Sequence, residues 1–208
     1  MITARAALDA LREGNRRFVS DLGHDAGSSS TRRRVLPENQ EPIAIILGCS
    51  DARVPAEIVF DQGLGDLFVI RVAGNIVAPS QVGSVEFAAA AFGTRLVVVL
   101  GHSSCGAIQA TLEQLVRPSS DQSRNLSSIV DRIRPAVAGL LERRPQPERA
   151  VLEQQAVRAN IRMSADHLRH GSAVLEQLIH KEGLMVVGAE YSLETGVVDF
   201  FDGVPATL

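Results

Sequence analysis

Both cysteines of this 208-residue chain sit in short segments dense with reactive side chains. Cys49-Ser50-Asp51-Ala52-Arg53 closes one apolar run, and Gly101-His102-Ser103-Ser104-Cys105-Gly106 closes another. Two thiolates and an imidazole favour zinc over magnesium or calcium, which prefer oxygen donors. Cys49, His102 and Cys105 are therefore the expected ligands of one Zn2+ per chain, with a fourth position left for water or a carboxylate. Asp51, two residues beyond Cys49, is a conditional fourth ligand. Two thiolates already cancel the charge of the ion, so a bound carboxylate would leave the cluster negative in a poorly solvated place. Arg53 can pair bidentately with Asp51 and offset that charge. With Asp51 held off the metal, water can bind and ionise, and zinc-bound hydroxide is a strong nucleophile near neutral pH. Asp51 and Arg53 are accordingly the catalytic candidates, and activity is expected to rise with pH.

These residues need elements to position them. Ile43-Ala44-Ile45-Ile46-Leu47-Gly48 is an uninterrupted apolar run of strand length, as expected where both faces are covered. Residues 67–72, 96–101 and 184–189 repeat the pattern, and helix-like segments at 56–60, 80–92 and 104–115 separate the runs. The alternation predicts an α/β fold with a mostly parallel sheet of four strands, and residues 197–201 add an antiparallel edge strand. Both motifs then fall at carboxyl ends of strands, where open α/β sheets bind ligands. Ala4, Leu8, Leu11 and Phe18 mark an N-terminal amphipathic helix. A Gly-, Ser- and Arg-rich stretch continues to Pro42, with at most a short helix near 31–36. The chain is thus expected to form one domain, 1–208, with a helical arm over 1–42 and an α/β core over 43–208. Residues 125–180 read as helices divided at Pro135 and at Pro145-Gln146-Pro147. The stripes Leu152, Ala156, Ala159, Met163 and Val174, Leu175, Leu178, Ile179 are explained by packing, the second closed by Gly183.

Composition narrows the function classes. A net charge of -3 gives no general attraction to nucleic acid, and the run Arg32-Arg33-Arg34 reads as a solvated loop. No apolar run approaches a membrane span, and the first residues lack the pattern of a secretory signal, so a cytoplasmic location is the expectation. Two cysteines make no disulfide framework. His24, His167, His170 and His180 lie in polar contexts and read as solvated. Other readings use the same residues. Gly101-His102-Ser103-Ser104-Cys105 nearly matches a nucleophile elbow, with Asp166 and His167 or His180 as nominal partners, but lacks the final glycine and leaves Cys49 and Arg53 idle. A non-catalytic, zinc-stabilised binding module would keep Asp51 as a permanent ligand. Taken singly, a buried Cys reads as apolar filler and a Ser-Asp-x-Arg turn as a helix cap, but these readings leave the convergence at equivalent strand ends unexplained.

C-x-D-x-R followed some fifty residues later by H-x-x-C resembles the β-class carbonic anhydrases. The resemblance extends through Val54-Pro55, residues 65–71, Ala73-Gly74-Asn75, Ser84-Val85-Glu86-Phe87 and residues 101–106, in order. It implies reversible hydration of carbon dioxide to bicarbonate and a proton, with Asp51 and Arg53 as the family's dyad. Gln40 matches a glutamine that bonds substrate from across a dimer interface. Phe68, Ala73 and Phe87 match an apolar substrate pocket, and Gly106 a backbone N–H near the substrate. Ile46 stands where bicarbonate-regulated members usually carry tryptophan, which favours the open, plant-like type. Ala52 replaces a common serine, and Ala73 a valine that lines the pocket in plant members. The resemblance further implies a homodimer or homotetramer, the first helix lying across the partner. A relative of this fold hydrolyses carbon disulfide or carbonyl sulfide, so access to the pocket decides the substrate.

Overall fold

A computed structural model describes residues 2–23, 30–36, 40–118, 123–142, 145 and 147–205. The sheet is built from β1 (Ala44–Gly48), β2 (Leu67–Arg71), β3 (Leu96–His102), β4 (Met185–Tyr191) and β5 (Val198–Asp202) in the order β2-β1-β3-β4-β5. The first four strands are parallel and β5 runs antiparallel to β4 at the edge. β1 and β3 are buried along their whole length, which is why their sequences show no polar face.

Strand parity divides the core in two. Ile45, Leu47, Val97, Val99 and Val186 face a layer made by α4 (Pro79–Ala91), α5 (Gly106–Val116), α6 (Arg124–Leu141), α7 (Arg149–His170) and α8 (Ala173–Glu182). Ala44, Ile46, Val98, Leu100, Val187 and Ala189 face α1 (Ala4–Val19) and the short α3 (Ala56–Val59). Alternate residues of a strand point to opposite faces, so one apolar run serves both layers. Asn15 locks α1 down: its Nδ2 donates to the Val59 and Gly196 carbonyls at 3.1 and 2.9 Å, and its Oδ1 accepts from the Val198 N–H at 2.9 Å.

The chain leaves β1 to build β2 on one side and then returns to build β3 on the other. That reversal opens a crevice at the carboxyl ends of β1 and β3, the switch point where such sheets hold ligands.

Three expectations are corrected. Pro135 does not divide its segment: α6 runs through it, because Val130, Ile133 and Val137 pack against the core and outweigh one lost backbone bond. The buried face of α7 is wider than the expected stripe: Val157, Asn160, Ile161, Ser164 and Leu168 are buried beside Ala156, while Leu152 and Ala159 pack partly buried against the same core. Arg32 is not a loop residue in solvent. It lies in α2 (Ser30–Val35), donates to the Leu64 carbonyl at 3.0 Å and pairs with Asp66, tying the arm to the sheet. Among the histidines, His167, His170 and His180 are exposed as expected, while His24 lies outside the described residues.

Candidate metal centre

Cys49 is the first residue after β1, His102 ends β3, and Cys105 caps the amino end of α5. All three are buried, and their ligand atoms lie within 4.8 Å of one another. A tetrahedral zinc spaces such atoms by roughly 3.5–3.8 Å, so the cluster is close to the geometry the ion requires. His102 supplies the sharper test. Its Nδ1 lies 2.9 Å from the Ser103 carbonyl, which accepts the ring N–H and leaves a lone pair on Nε2. Nε2 is fully buried and has no hydrogen-bond partner. An orphaned imidazole nitrogen facing two cysteine sulfurs fits a metal with nitrogen and sulfur ligands.

The backbone around the cluster is arranged for thiolates. The Gly74 N–H donates to the Cys49 sulfur at 3.3 Å. Without metal, the Cys105 thiol donates to Cys49 and pushes its pKa down to about 4; burial opposes this, and His102 and the N–H groups of Asp51 and Gly74 assist. Cys105, as the donor and buried, is pushed up. A divalent ion held here by Cys49, His102 and Cys105 would take the place of that shared proton and favour ionisation of both sulfurs.

Asp51 stands at the edge of the cluster. Its Oδ1 accepts from Arg53 Nε at 2.9 Å and from the Arg53 backbone N–H at 3.0 Å, and its Oδ2 accepts from Arg53 Nη2 at 2.8 Å. The guanidinium holds the carboxyl well below the usual carboxylate range, against a smaller effect of burial. Asp51 Oδ2 lies 3.9 Å from His102 Nε2, so the carboxylate reaches the cluster while remaining committed to arginine. Arg71 fixes this turn: Nε donates to the Cys49 carbonyl at 3.0 Å and Nη2 to the Asp51 carbonyl at 2.6 Å. Sequence reading passed over Arg71 as part of a matching strand; the signal was a charge terminating an otherwise apolar run.

The candidate pocket residues divide into two groups. Ala73 precedes Gly74, and Gly106 follows Cys105 at the exposed first turn of α5, so both adjoin the cluster. Phe68 and Phe87 instead stack with Phe92, at ring separations of 6.0 and 5.5 Å. Phe87 is 56% exposed. Gln40 is exposed and lines a cleft of about 390 Å³ with Pro42, Phe92 and Thr94, at the amino ends of β1 and β3. β1 alone spans roughly 17 Å, so Gln40 is far from Cys49 of its own chain.

The hydrolase alternative finds no constellation. Ser103 Oγ accepts from the Leu193 N–H at 2.9 Å, and Asp166 is paired with Arg169. Arg169 bonds the Val186 carbonyl near the start of β4, the end of the sheet opposite Ser103. The fold therefore keeps Asp166 and His167 away from that serine.

A family profile described as carbonic anhydrase matches residues 44–198. "Carbonic anhydrase 2" of Mycobacterium tuberculosis H37Rv is 38% identical over 192 residues, covering 92% of this chain and 89% of that protein. The carbonic anhydrase of Mycolicibacterium smegmatis is 39% identical over 194 residues, covering 93% and 91%. Among solved structures, the β-carbonic anhydrase CcaA superposes with a TM-score of 0.72 at 26% identity, covering 97% of this chain and 91% of that one. The β-carbonic anhydrase CafA of Aspergillus fumigatus superposes at 0.75 and 22% identity over the same shares, a likeness of fold.

Proposed function

The chain belongs to the β-class of the carbonic anhydrase family, and from that premise we propose that it catalyses the zinc-dependent, reversible hydration of carbon dioxide to bicarbonate and a proton. The observation that carries the metal reading is the buried, partnerless Nε2 of His102 facing the sulfurs of Cys49 and Cys105. Held by these three residues, zinc supplies the Lewis acidity that turns water into a nucleophile near neutral pH.

The remaining roles belong to the protein. Arg53 grips both oxygens of Asp51 and keeps the carboxylate ionised; with an ion bound by the three ligands, that grip would compete with coordination of Asp51. An ionised Asp51 with a spare lone pair can accept the nucleophile's proton and orient the attacking oxygen. Arg71 keeps the turn bearing Cys49 and Asp51 in place through two carbonyls. Ala73 gives an apolar wall suited to an uncharged substrate, and the Gly106 N–H at the start of α5 is a donor without a helical partner.

Gln40, Phe68 and Phe87 enter through assembly. Their grouping around Phe92, apart from the cluster of their own chain, supports a homodimer or homotetramer in which they complete the pocket of a partner. One solved relative, from Sordaria macrospora, is a tetramer by its own description. Among the described residues no helix is long and apolar enough to cross a membrane.

The test is metal content together with hydration of carbon dioxide, for the protein as purified and for Asp51→Asn. About one zinc per chain and a large loss of hydration in the variant, with zinc retained, are expected. An active protein free of metal would overturn the reading. Zinc without hydration would shift it to carbon disulfide or carbonyl sulfide hydrolysis, or to a structural zinc module.

A further inference from the structure

The turn that presents an N–H to Cys49 has an uncommon shape. Gly74 has φ +70° and Asn75 has φ +42°, so two successive residues sit in the left-handed region, the second of them not a glycine. Their carbonyls are turned away from the sheet into the α7 interface, where water cannot satisfy them. α7 meets both. Asn160 Nδ2 donates to the Gly74 carbonyl at 2.8 Å, and Ser164 Oγ donates to the Asn75 carbonyl at 3.0 Å. Asn160 and Ser164 are 2% and 5% exposed, and their spacing of four places them on one helix face. The rest of that face is Ala156, Val157, Ile161, Ala165 and Leu168, which would pack as well without two polar residues among them. α7 cannot drift from this position. Ile161 lies so close to the strand preceding His102 that a Cβ on Gly101 would stand 2.6 Å from its side chain.

We propose that Asn160 and Ser164 are positioning residues for the metal centre, holding the Gly74–Asn75 turn so that the Gly74 N–H stays aimed at the Cys49 sulfur. The inference deepens the zinc reading and rests on it. Neither residue touches the ligand cluster; each acts through a carbonyl of the turn. A hydrogen bond to a coordinated thiolate lowers the energy of the sulfur lone pairs and fixes their direction. Losing it raises the energy of those electrons and loosens the ligand. Partners of this outer kind are worth roughly 10–100-fold in metal affinity.

Three variants separate positioning from packing. Asn160→Leu and Ser164→Ala each remove one donor, the second at little cost in volume. Ile161→Val trims the same helix without touching either hydrogen bond. Zinc affinity of the full-length protein is measured by competition with a chromophoric chelator, and the cobalt-substituted protein is examined for its thiolate-to-metal charge-transfer band. In Asn160→Leu and Ser164→Ala the zinc dissociation constant should rise roughly 10-fold or more, and the band should move to lower energy. Ile161→Val should match the wild type in both. Should Asn160→Leu not fold, Ser164→Ala carries the test alone. Wild-type affinity and an unmoved band in the donor variants overturn the inference while the zinc reading stands. Equal losses in Ile161→Val also overturn it, by reducing the effect to packing. A wild-type chain that takes up no zinc removes the zinc reading and the inference together.

Discussion

Gly101→Ala is a one-carbon change that connects packing to the ligand cluster. Gly101 immediately precedes His102, and its added Cβ would lie 2.6 Å from both Cγ1 and Cδ1 of Ile161, where ordinary contact begins at 3.4 Å. About 0.8 Å of separation must be found. Ile161 is fully buried, and its other branch, Cγ2, is equally committed: a Cβ at Gly188 would meet it at 2.8 Å. The two branches of Ile161 fill the space left by both glycines, so α7 itself has to recede. Overpacking of this kind costs roughly 1–3 kcal/mol. For a chain of this length each kcal/mol lowers the melting temperature by roughly 2–4 °C, so a fall of roughly 2–12 °C is expected. Calorimetry of the zinc-loaded and chelated proteins measures it. Ile161→Ala alone should cost about 2–5 kcal/mol by leaving a cavity. The double variant should fall short of the sum by about 0.5–3 kcal/mol, because the new methyl occupies the vacated space. A shift under about 1 °C, or strict additivity in the double variant, would refute the steric reasoning.

Other expectations follow from charge, burial and assembly. The folded carboxyl of Asp51 titrates below its ordinary value of 3.8, so its share of stability is present above about pH 4 and is lost as pH falls further. Urea unfolding of chelated wild type and Asp51→Asn should draw together as pH falls below about 4; parallel curves would contradict the pairing with Arg53. Asn15→Leu strands two carbonyls and one N–H in the core and should cost roughly 2–4 kcal/mol in chemical denaturation, against near neutrality if those bonds were incidental. Removing zinc with a chelator should lower the melting temperature, and stoichiometric zinc should restore it, since an ion bound by the folded chain stabilises it by mass action. Co-expressed Gln40→Ala and Cys49→Ser chains should recover activity that neither variant has alone, because a mixed dimer holds one complete site; no recovery would place Gln40 outside the partner's pocket.

The apolar runs at 43–48 and 96–101 were legible as strands because burial on both faces leaves no polar position to obscure them, and 67–72, partly buried at the sheet edge, by repeating their pattern up to Arg71. The ligand set was legible for a related reason: Cys49, His102 and Cys105 lie at strand ends, where the chain itself fixes their place. Arg71, Asn160 and Ser164 were not. Each acts through a backbone carbonyl far away in sequence, and a carbonyl leaves no trace in residue type. Pro135 misled because local propensity argues for a break while the contacts of Val130, Ile133 and Val137 are made by the tertiary fold. The order of the strands was equally hidden, and with it the crevice between β1 and β3.

The three proposed ligands all lie within the first 105 residues, yet the turn beside Cys49 waits for Asn160 and Ser164, 86 and 89 residues beyond their partners. Contacts of such separation close late. A nascent or truncated chain lacking α7 would carry the proposed ligands without the framework that directs them, so on the zinc reading proposed above capture of the ion would belong to the end of folding. Secure metal retention would then report that the C-terminal half has docked.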